Sequence, residues 1–337
     1  MQKRLRSLLQ YFFFLGIGLF LVWWQLKSLT ETEKNQFYIT LKTARYWIIF
    51  PIAIMSIASH ISRSMRWKLL MEPLNYRPKL SNVFAVTMIG YLANAAVPRL
   101  GEVLKCTLLA KFEKLKVDKL FGTIIVERSF DLICYLLFML ITVLIQMNKV
   151  GGFVKEQLKL MTNAPGLSIW IKAFIFISIF ILLIGFLKLL FKKYPSNKFI
   201  VKVNNIMKGI AEGFTSIKNL QHRSAFLFHT LFIWTMYLLQ IYLGFFALSG
   251  TSFLGMKAAF SVLSLSTLAM IATPGGIGSF PLFVMKTLSI YGIDPPLGIA
   301  FGWVMWGVST GLIVIVGIVC LLALPQINKP KIKKPII

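Results

Sequence analysis

Long apolar runs alternate with short basic stretches along this chain of 337 residues. Several of the runs exceed about 18 residues, the length that an α-helix needs to cross the hydrocarbon core of a bilayer. The segments between them are too short to build a soluble domain. We therefore expect one all-α polytopic membrane domain over 1–337. The pattern predicts six full transmembrane spans, over 8–26, 44–62, 120–147, 167–190, 224–248 and 296–323.

Two further apolar stretches, 80–111 and 252–292, each contain residues that break helices. The first has Pro-Arg-Leu-Gly at 98–101, and the second has Pro-Gly-Gly-Ile-Gly at 274–278. Proline removes a backbone donor and clashes with the preceding turn of a helix, while glycine admits backbone angles that other residues resist. Each stretch is therefore predicted to form two helices separated by a break.

Lysine and arginine predict the orientation of these segments, because cytoplasmic loops are richer in them. Basic residues are dense at the N-terminus, in 63–79 and 105–119, and in the tail 326–337. Both ends of the stretch 80–111 are then cytoplasmic, which predicts a re-entrant hairpin with its tip at 94–102. A full crossing is the alternative, and it would put the second basic cluster outside. Both chain termini are expected to be cytoplasmic.

The two halves of the chain, roughly 1–150 and 160–325, then follow the same order of segments. Each has two spans, one re-entrant hairpin and one further span, but the first half starts inside and the second starts outside. Such an inverted-topology repeat, with broken helices in matching positions, is typical of transporters that hold their site near the membrane midplane. If the hairpins face each other, the tip at 94–102 should lie near the glycines at 274–278.

Charge and composition refine this picture. The formal net charge is +26, and 57% of the residues are hydrophobic. Because the basic residues lie between apolar segments, they indicate contact with anionic lipid rather than with nucleic acid. The three cysteines share no metal-binding spacing, so we expect neither a metal nor a cofactor. An amphipathic helix is predicted over 199–220, as a connector on the cytoplasmic surface.

The first break carries two charged residues that are predicted to lie at membrane depth, where an ionisable side chain is a functional candidate. Arg99 and Glu102 are three positions apart. If Glu102 begins the second helix, the helix N-terminus stabilises its carboxylate, and Arg99 can present its donors to a phosphate. Asn94, just before the break, can bond freed backbone groups. The alternative is that Arg99 and Glu102 neutralise each other and only fix the hairpin.

The span 120–147 carries three more charges. Glu127 and Asp131 are four positions apart and therefore share a helical face, whereas Arg128 points about 100° away. Two close carboxylates can share a proton, which would make a proton or cation site. The alternative is a structural network with Arg99, Arg128 or backbone amides of a broken helix.

The glycines at 274–278 form a strong breaker motif. They allow close backbone approach and could expose amide N–H groups to an anion. No Gly-Lys-Ser/Thr sequence follows, so the motif is not a nucleotide-binding loop. The alternative is a tight turn required for packing. His60, near the end of the second predicted span, is expected to be structural.

Three motifs follow one another along the chain. They comprise Asn94, Pro98, Arg99, Gly101 and Glu102 in the first break, then Glu127, Arg128 and Asp131, then Pro274, Gly275, Gly276 and Gly278. Over nearly the whole chain they resemble the flippase-like family related to the transmembrane region of lysylphosphatidylglycerol synthases. The resemblance implies a bacterial inner-membrane protein that moves lipids between leaflets, and it makes these residues candidates for lipid binding. Two positions depart from the family pattern: Pro281 stands where members often carry a glutamate, and Lys105 replaces a frequent arginine.

A lipid flippase or scramblase is the function expected first, with a lipid that carries an anionic phosphate head group as its partner. The sequence has no ATP-binding motif, so transport would be downhill, ion-driven or dependent on another protein. The synthases attach an amino acid to phosphatidylglycerol with a separate soluble domain. Because this chain ends soon after its last predicted span, we do not expect that or another enzymatic activity. A membrane-embedded enzyme acting on a lipid head group and an ion or small-solute transporter are the alternatives, and a homo-oligomer or a partner lipid synthase is left open.

Overall fold

The computed structural model describes residues 16, 18–25, 27–97, 99–146 and 220–329. Every secondary-structure element in these ranges is helical, in agreement with the predicted all-α class. Several predictions fall wholly or mostly outside the described residues: the spans 8–26 and 167–190, the connector 199–220, the tail 326–337 and any role of Pro98.

Nine helices follow the short helical segment 18–25 in the described part of the chain. They are α1 (Glu31–Lys42), α2 (Ile49–Met71), α3 (Leu80–Ala96), α4 (Leu100–Glu113), α5 (Val117–Ile145), α6 (Arg223–Gly244), α7 (Met256–Ala272), α8 (Ser279–Ser289) and α9 (Pro295–Ile327). Four of them, α2, α5, α6 and α9, are long and apolar enough to cross a membrane. They overlap four of the predicted spans, those at 44–62, 120–147, 224–248 and 296–323.

The helix α1 was not predicted, because it is polar and too short to span. It begins with a capping box, in which Thr30 Oγ1 accepts a hydrogen bond from the backbone N–H of Glu33 (3.3 Å) and the carboxylate of Glu33 accepts one from the backbone N–H of Thr30 (2.8 Å). This reciprocal pairing satisfies donors that a helix start leaves free. The helix packs against α9.

The first broken stretch forms two antiparallel helices, α3 and α4. At their open end, Glu113 Oε1 accepts hydrogen bonds from the backbone N–H of Lys79 (2.9 Å) and from Asn82 Nδ2 (2.6 Å). At the break, Asn94 Oδ1 accepts a hydrogen bond from the backbone N–H of Gly101 (2.7 Å). This is the bond to a freed backbone group that the sequence indicated, and it satisfies one of the donors at the start of α4.

The second broken stretch also forms two antiparallel helices, α7 and α8, joined by a turn at 274–276. Beside the turn, Ser279 Oγ donates to the carbonyl oxygen of Ala269 (2.8 Å). At the open end, Tyr291 Oη donates to the carbonyl oxygen of Lys257 (3.1 Å). The three glycines of the motif have φ angles of +60°, +72° and +71°. These angles lie in the left-handed region, which glycine adopts without a steric cost.

The two breaks touch each other. A Cβ atom placed on Gly275 would lie 3.7 Å from the Cα and carbonyl oxygen of Ala95. The open ends of the two pairs lie at opposite ends of α9, a helix of 33 residues. Asn328, at its C-terminal end, exchanges two amide hydrogen bonds with Asn82 of the first pair (2.8 and 2.9 Å), whereas the second pair leads directly into its start at Pro295. The pairs therefore approach from opposite directions, the arrangement required if two hairpins face each other. That they are re-entrant in a membrane stays a prediction.

Five helices around the first break share one apolar cluster. Trp67 of α2, Met88 of α3, Leu109 of α4, Leu120 of α5 and Phe226 of α6 are each fully buried in it. Close packing of this kind resists changes in the relative positions of helices. The cluster therefore fixes the backbone from which the charged residues of the site extend.

Candidate functional site

Arg63 and Arg66 extend from α2 into the interior of the protein. Their side chains are 8% and 0% exposed. The second span was predicted to end at 62, with both residues in a cytoplasmic loop. This prediction was wrong, because α2 continues to Met71. The helix can continue because carboxylates of α5 lie opposite the two arginines, and pairing offsets much of the cost of burying charge.

Glu127 and Asp131 both face these arginines, as their spacing on one helical face predicted. Asp131 accepts from Arg63 Nη1 at 2.8 Å and from Arg66 Nη2 at 2.7 Å. Glu127 Oε1 lies 3.4 Å and 3.5 Å from the same two nitrogens. The partners expected for a network were Arg99, Arg128 or backbone amides, so the network exists with different cations. A shared proton between the two carboxylates stays a prediction.

Lys105 of α4 adds a third cation to this network. Its Nζ lies 3.0 Å from Glu127 Oε2 and 3.9 Å from the centroid of the Trp67 ring. Trp67 is itself held by a hydrogen bond from its Nε1 to Thr123 Oγ1 (2.9 Å). Lys105 therefore ties the second helix of the broken pair to both α2 and α5, and its ammonium group has an electrostatic partner and an aromatic face.

The buried network has one more cation than carboxylate among its described members. Three basic side chains (Arg63, Arg66 and Lys105) face two carboxylates (Glu127 and Asp131). Tyr237 Oη and Thr230 Oγ1 of α6 accept further hydrogen bonds from the two guanidinium groups, at 3.3 and 3.4 Å. The Nε atoms of both arginines are buried without a partner among the described residues. The arrangement therefore favours the presence of an additional anion nearby.

A second ion pair lies closer to the surface. Arg128 Nη2 donates to Glu102 Oε1 at 3.1 Å, with the Arg128 side chain 47% exposed. Arg128 thus points away from Glu127 and Asp131, as predicted, and Glu102 is in the first turn of α4, as predicted. The second carboxylate oxygen of Glu102, Oε2, has no hydrogen-bond partner among the described residues. The pair joins α4 to α5 beside the first break.

Arg99 lies at the break itself. It precedes α4 in the left-handed conformation, with φ of +67°, which costs a residue with a side chain roughly 1–2 kcal/mol. Its side chain is exposed and forms no hydrogen bond or ion pair with any described residue. Glu102 pairs with Arg128, so the predicted mutual neutralisation of Arg99 and Glu102 is not the arrangement present. Among the described residues Arg99 is thus a strained cation without a partner, and a ligand can bind a side chain in this position.

The second break is held from two sides. Trp306 Nε1 donates to the carbonyl oxygen of Gly275 (2.8 Å), and Gln25 Nε2 donates to that of Gly278 (2.6 Å). A Cβ on Gly278 would lie 2.6 Å from the carbonyl oxygen of Gly18, so the helical segment 18–25 packs directly on this turn. These contacts support the tight-turn alternative. Exposure of the glycine amides to an anion stays a prediction.

The burial of the three cations in one network was not predicted from the sequence, although Lys105 was noted as a departure from the family pattern. Arg63, Arg66 and Lys105 each belong to dense basic clusters, and counting such clusters assigns all their members to a cytoplasmic surface. A helical spacing was nonetheless readable, because Arg63 and Arg66 are three apart and Glu127 and Asp131 are four apart. Two complementary pairs of that kind can face each other across two helices.

No group of three or more His, Cys, Asp or Glu side chains in the described ranges is placed to hold a metal ion.

Residues 11–323 match the family described as the lysylphosphatidylglycerol synthase TM region. UPF0104 membrane protein MJ1595 of Methanocaldococcus jannaschii is 26% identical over 295 residues, which cover 82% of this chain and 85% of that protein. No solved structure matches the chain. The chain belongs to the lysylphosphatidylglycerol synthase transmembrane-region family, as the order of its three motifs predicted.

Proposed function

We propose that this multi-pass membrane protein moves a lipid with an anionic phosphate head group between the two leaflets of its membrane. The membrane is taken to be the bacterial cytoplasmic membrane, with both chain termini on the cytoplasmic side. The lipid leaves the protein chemically unchanged, so the protein is not an enzyme in this proposal. Family membership and the four apolar helices long enough to span a membrane are consistent with it.

The two broken pairs would form the path as re-entrant hairpins of an inverted repeat. Backbone that is not helical is tolerated at membrane depth only where protein covers it or water reaches it. The break between α3 and α4 contacts the break between α7 and α8 through Ala95 and Gly275. Two helix breaks in contact bring backbone polar groups together within apolar surroundings. Transporters hold their substrates at sites of this kind.

Charge supports a phosphate as the group that is recognised. In the described part of the chain, the first break and the buried network together contain five basic side chains and three carboxylates: Arg63, Arg66, Arg99, Lys105 and Arg128 against Glu102, Glu127 and Asp131. A phosphodiester carries one negative charge and would reduce this imbalance. Guanidinium groups bind phosphate with paired, directional hydrogen bonds.

The observation that carries the proposal is Arg99, an exposed arginine that has no partner in the described part of the chain and lies beside the point where two broken helices touch. A head group that reached Arg99 would also come close to the Arg128–Glu102 ion pair, through the first turn of α4. Because that pair is partly exposed, it can open at little cost. Arg128 can then exchange Glu102 for the phosphate and pass the head group along α5.

The test is head-group accessibility in proteoliposomes. Purified protein is reconstituted with fluorescent phosphatidylglycerol or phosphatidylethanolamine, and a membrane-impermeant quencher is added from outside. We expect the wild type to lose protection of the inner leaflet, and Arg99→Ala and Glu102→Gln to keep it. Arg77→Ala is the matched control, since Arg77 is an exposed arginine away from the break.

The proposal would be contradicted if wild-type and protein-free vesicles gave equal quenching of the fluorescent lipid, with every lipid and with a proton gradient. If Arg99→Ala lost protection of the inner leaflet at the wild-type rate, lipid movement would not depend on this site. Mass spectrometry of the recovered lipids distinguishes movement from chemistry, because an enzyme changes the lipid mass. Retention of a soluble dye and of ions in the same vesicles distinguishes lipid movement from solute transport or leakage.

A further inference from the structure

Polar residues recur through the middle of α2, from Ser56 to Arg66, and they are buried in a helix long and apolar enough to span a membrane. Most of them have an evident partner. Ser59 and Ser64 donate to carbonyl oxygens of their own helix, at 2.7 and 2.9 Å, a local bond that hydroxyl groups often make. Arg63 and Arg66 serve the charge network. His60 remains without a role.

His60 is 7% exposed and poorly bonded. Its Nε2 lies 3.5 Å from Ser56 Oγ, at the limit of a hydrogen bond. Its Nδ1 is buried and has no partner among the described residues. By contrast, Nδ1 of His229 hydrogen-bonds to Ser62 Oγ at 2.9 Å, and His222 is exposed just before α6. Of the three histidines in the chain, His60 can take a proton within the protein without losing a good hydrogen bond.

The charged and titratable groups around His60 come from α2 and α3 and, beyond Arg63, from α4, α5 and α6. Arg63 is one turn further along α2, and the ring of Tyr91 on α3 lies 5.1 Å from the His60 ring, centroid to centroid. Beyond Arg63 are Tyr237 of α6 and the two carboxylates of α5, all of which Arg63 contacts. Lys105 of α4 follows, on Glu127. Both carboxylates, Glu127 and Asp131, are therefore already paired with cations.

A proton on His60 would therefore add a second excess positive charge to a network that already has one. Without a compensating anion, that charge is unfavourable in a buried position. Tyr91, against which His60 lies, is three residues before Asn94, whose side chain bonds the start of α4. His60 therefore lies beside the last two turns of α3, which lead into the first break, and an anionic head group at the break would supply the missing negative charge from there.

We propose that His60 binds a proton when an anionic head group occupies the first break, so that lipid movement is coupled to proton uptake. The inference rests on the proposed function and identifies the proton as the ion that is coupled to lipid movement. Linkage makes the effect reciprocal: the head group favours the proton, and the proton favours the head group by the same factor. Histidine suits this role because its unperturbed titration lies within the physiological range.

The direct test is the titration of the His60 ring, followed by NMR of isotopically labelled histidine in nanodiscs. The protein carries His222→Gln and His229→Gln, so that His60 alone is observed. We expect the titration midpoint to lie at higher pH in nanodiscs that contain phosphatidylglycerol than in nanodiscs of phosphatidylcholine alone. Arg99→Ala should abolish this difference. Equal midpoints in the two lipids would overturn the inference whether or not any lipid is moved.

Anionic lipid also attracts protons to the membrane surface, and this general effect needs its own control. A protein with His60→Gln and His222→Gln leaves His229 as the reporter in the same nanodiscs. The surface effect should move the midpoints of His60 and His229 alike. Only a larger movement for His60, lost in Arg99→Ala, supports the inference, and equal movement of the two histidines contradicts it.

Transport gives a second measurement. In wild-type proteoliposomes the rate of phosphatidylglycerol movement should rise as the pH is lowered, by up to about tenfold per pH unit above the titration midpoint. His60→Gln and His60→Asn should make the rate independent of pH, while His222→Gln and His229→Gln keep the wild-type profile. An unchanged profile in folded His60→Gln would overturn the inference. Absence of lipid movement in every protein would contradict the proposed function instead, and the ring titration would still decide the protonation of His60.

Discussion

Ala95 and Gly275 lie in contact at the point where two broken helices of opposite direction end. A Cβ placed on Gly275 would be 3.9 Å from the Cβ of Ala95. This is within the range of about 3.5–4.5 Å that a disulfide requires. The contact joins two helix pairs whose open ends lie at opposite ends of α9, so any relative movement of the pairs has to change it.

The first prediction uses this contact. In a protein whose native cysteines are replaced by alanine, Ala95→Cys with Gly275→Cys should form a disulfide on mild oxidation. If lipid movement requires the two breaks to separate, oxidation should stop it and a reductant should restore it in the quencher assay. The left-handed angle at Gly275 makes the cysteine cost roughly 1–2 kcal/mol, so both single variants are run as controls. A cross-linked protein that still moves lipid would mean that the breaks stay together during transport.

The second prediction concerns the close approach of α3 and α4. Gly101→Ala should destabilise the protein, because the added methyl group would collide with the carbonyl oxygen of Gly90. Over-packing of this kind typically costs about 1–3 kcal/mol. Gly307→Ala is the matched control: nothing lies within 4 Å of its Cβ position, and alanine favours a helix over glycine by up to about 1 kcal/mol. Unfolding temperatures in detergent measure both, and equal values for the two variants would contradict the predicted packing.

The third prediction concerns the buried charges. Glu127→Gln keeps the shape of the side chain but leaves Lys105 and Arg63 without one of their partners. Removal of one member of a buried ion pair typically costs about 3–5 kcal/mol, so we expect a clearly lower unfolding temperature. Glu31→Gln, at a carboxylate that is 90% exposed, should change it little.

A double variant shows whether this loss comes from the unpaired lysine. Lys105→Met removes the cation opposite Glu127 and retains an apolar chain against the Trp67 ring. Combined with Glu127→Gln, it should recover part of the stability that Glu127→Gln loses. Strictly additive losses in this double-mutant cycle would mean that the two residues do not interact.

The positions of the breaks were predictable from sequence, because proline and glycine act on the backbone locally. Asn94 and Glu102 were also placed correctly relative to the start of α4, since helix starts have a defined chemistry. The contact between Ala95 and Gly275 is different in kind. It depends on how two pairs far apart in the chain pack, and only the inferred inverted repeat indicated it.

The partners of Glu127 and Asp131 could not be predicted by the same reasoning. A basic residue just beyond an apolar run has the same local sequence whether it is in a loop or in a continuing helix. Arg63 and Arg66 are kept in the helix by carboxylates more than sixty positions away. The spacing of each pair shows that its members share a helical face, but it does not specify which pairs face each other. The same pairing offsets much of the free-energy cost of burying both arginines.

The last prediction tests the orientation of the first pair. Single cysteines at Lys79, Lys116 and Lys329 should react with a membrane-impermeant maleimide from the same side, because the open end of α3 and α4 is bonded together and joined to the end of α9. A cysteine at Asp294, at the start of α9, should react only from the opposite side. Inside-out and right-side-out vesicles distinguish the sides, and positive-inside counting assigns the lysines to the cytoplasm. Labelling of Lys79→Cys and Lys116→Cys from different sides would mean that the stretch 80–111 crosses the membrane, and the re-entrant path would then have to be abandoned.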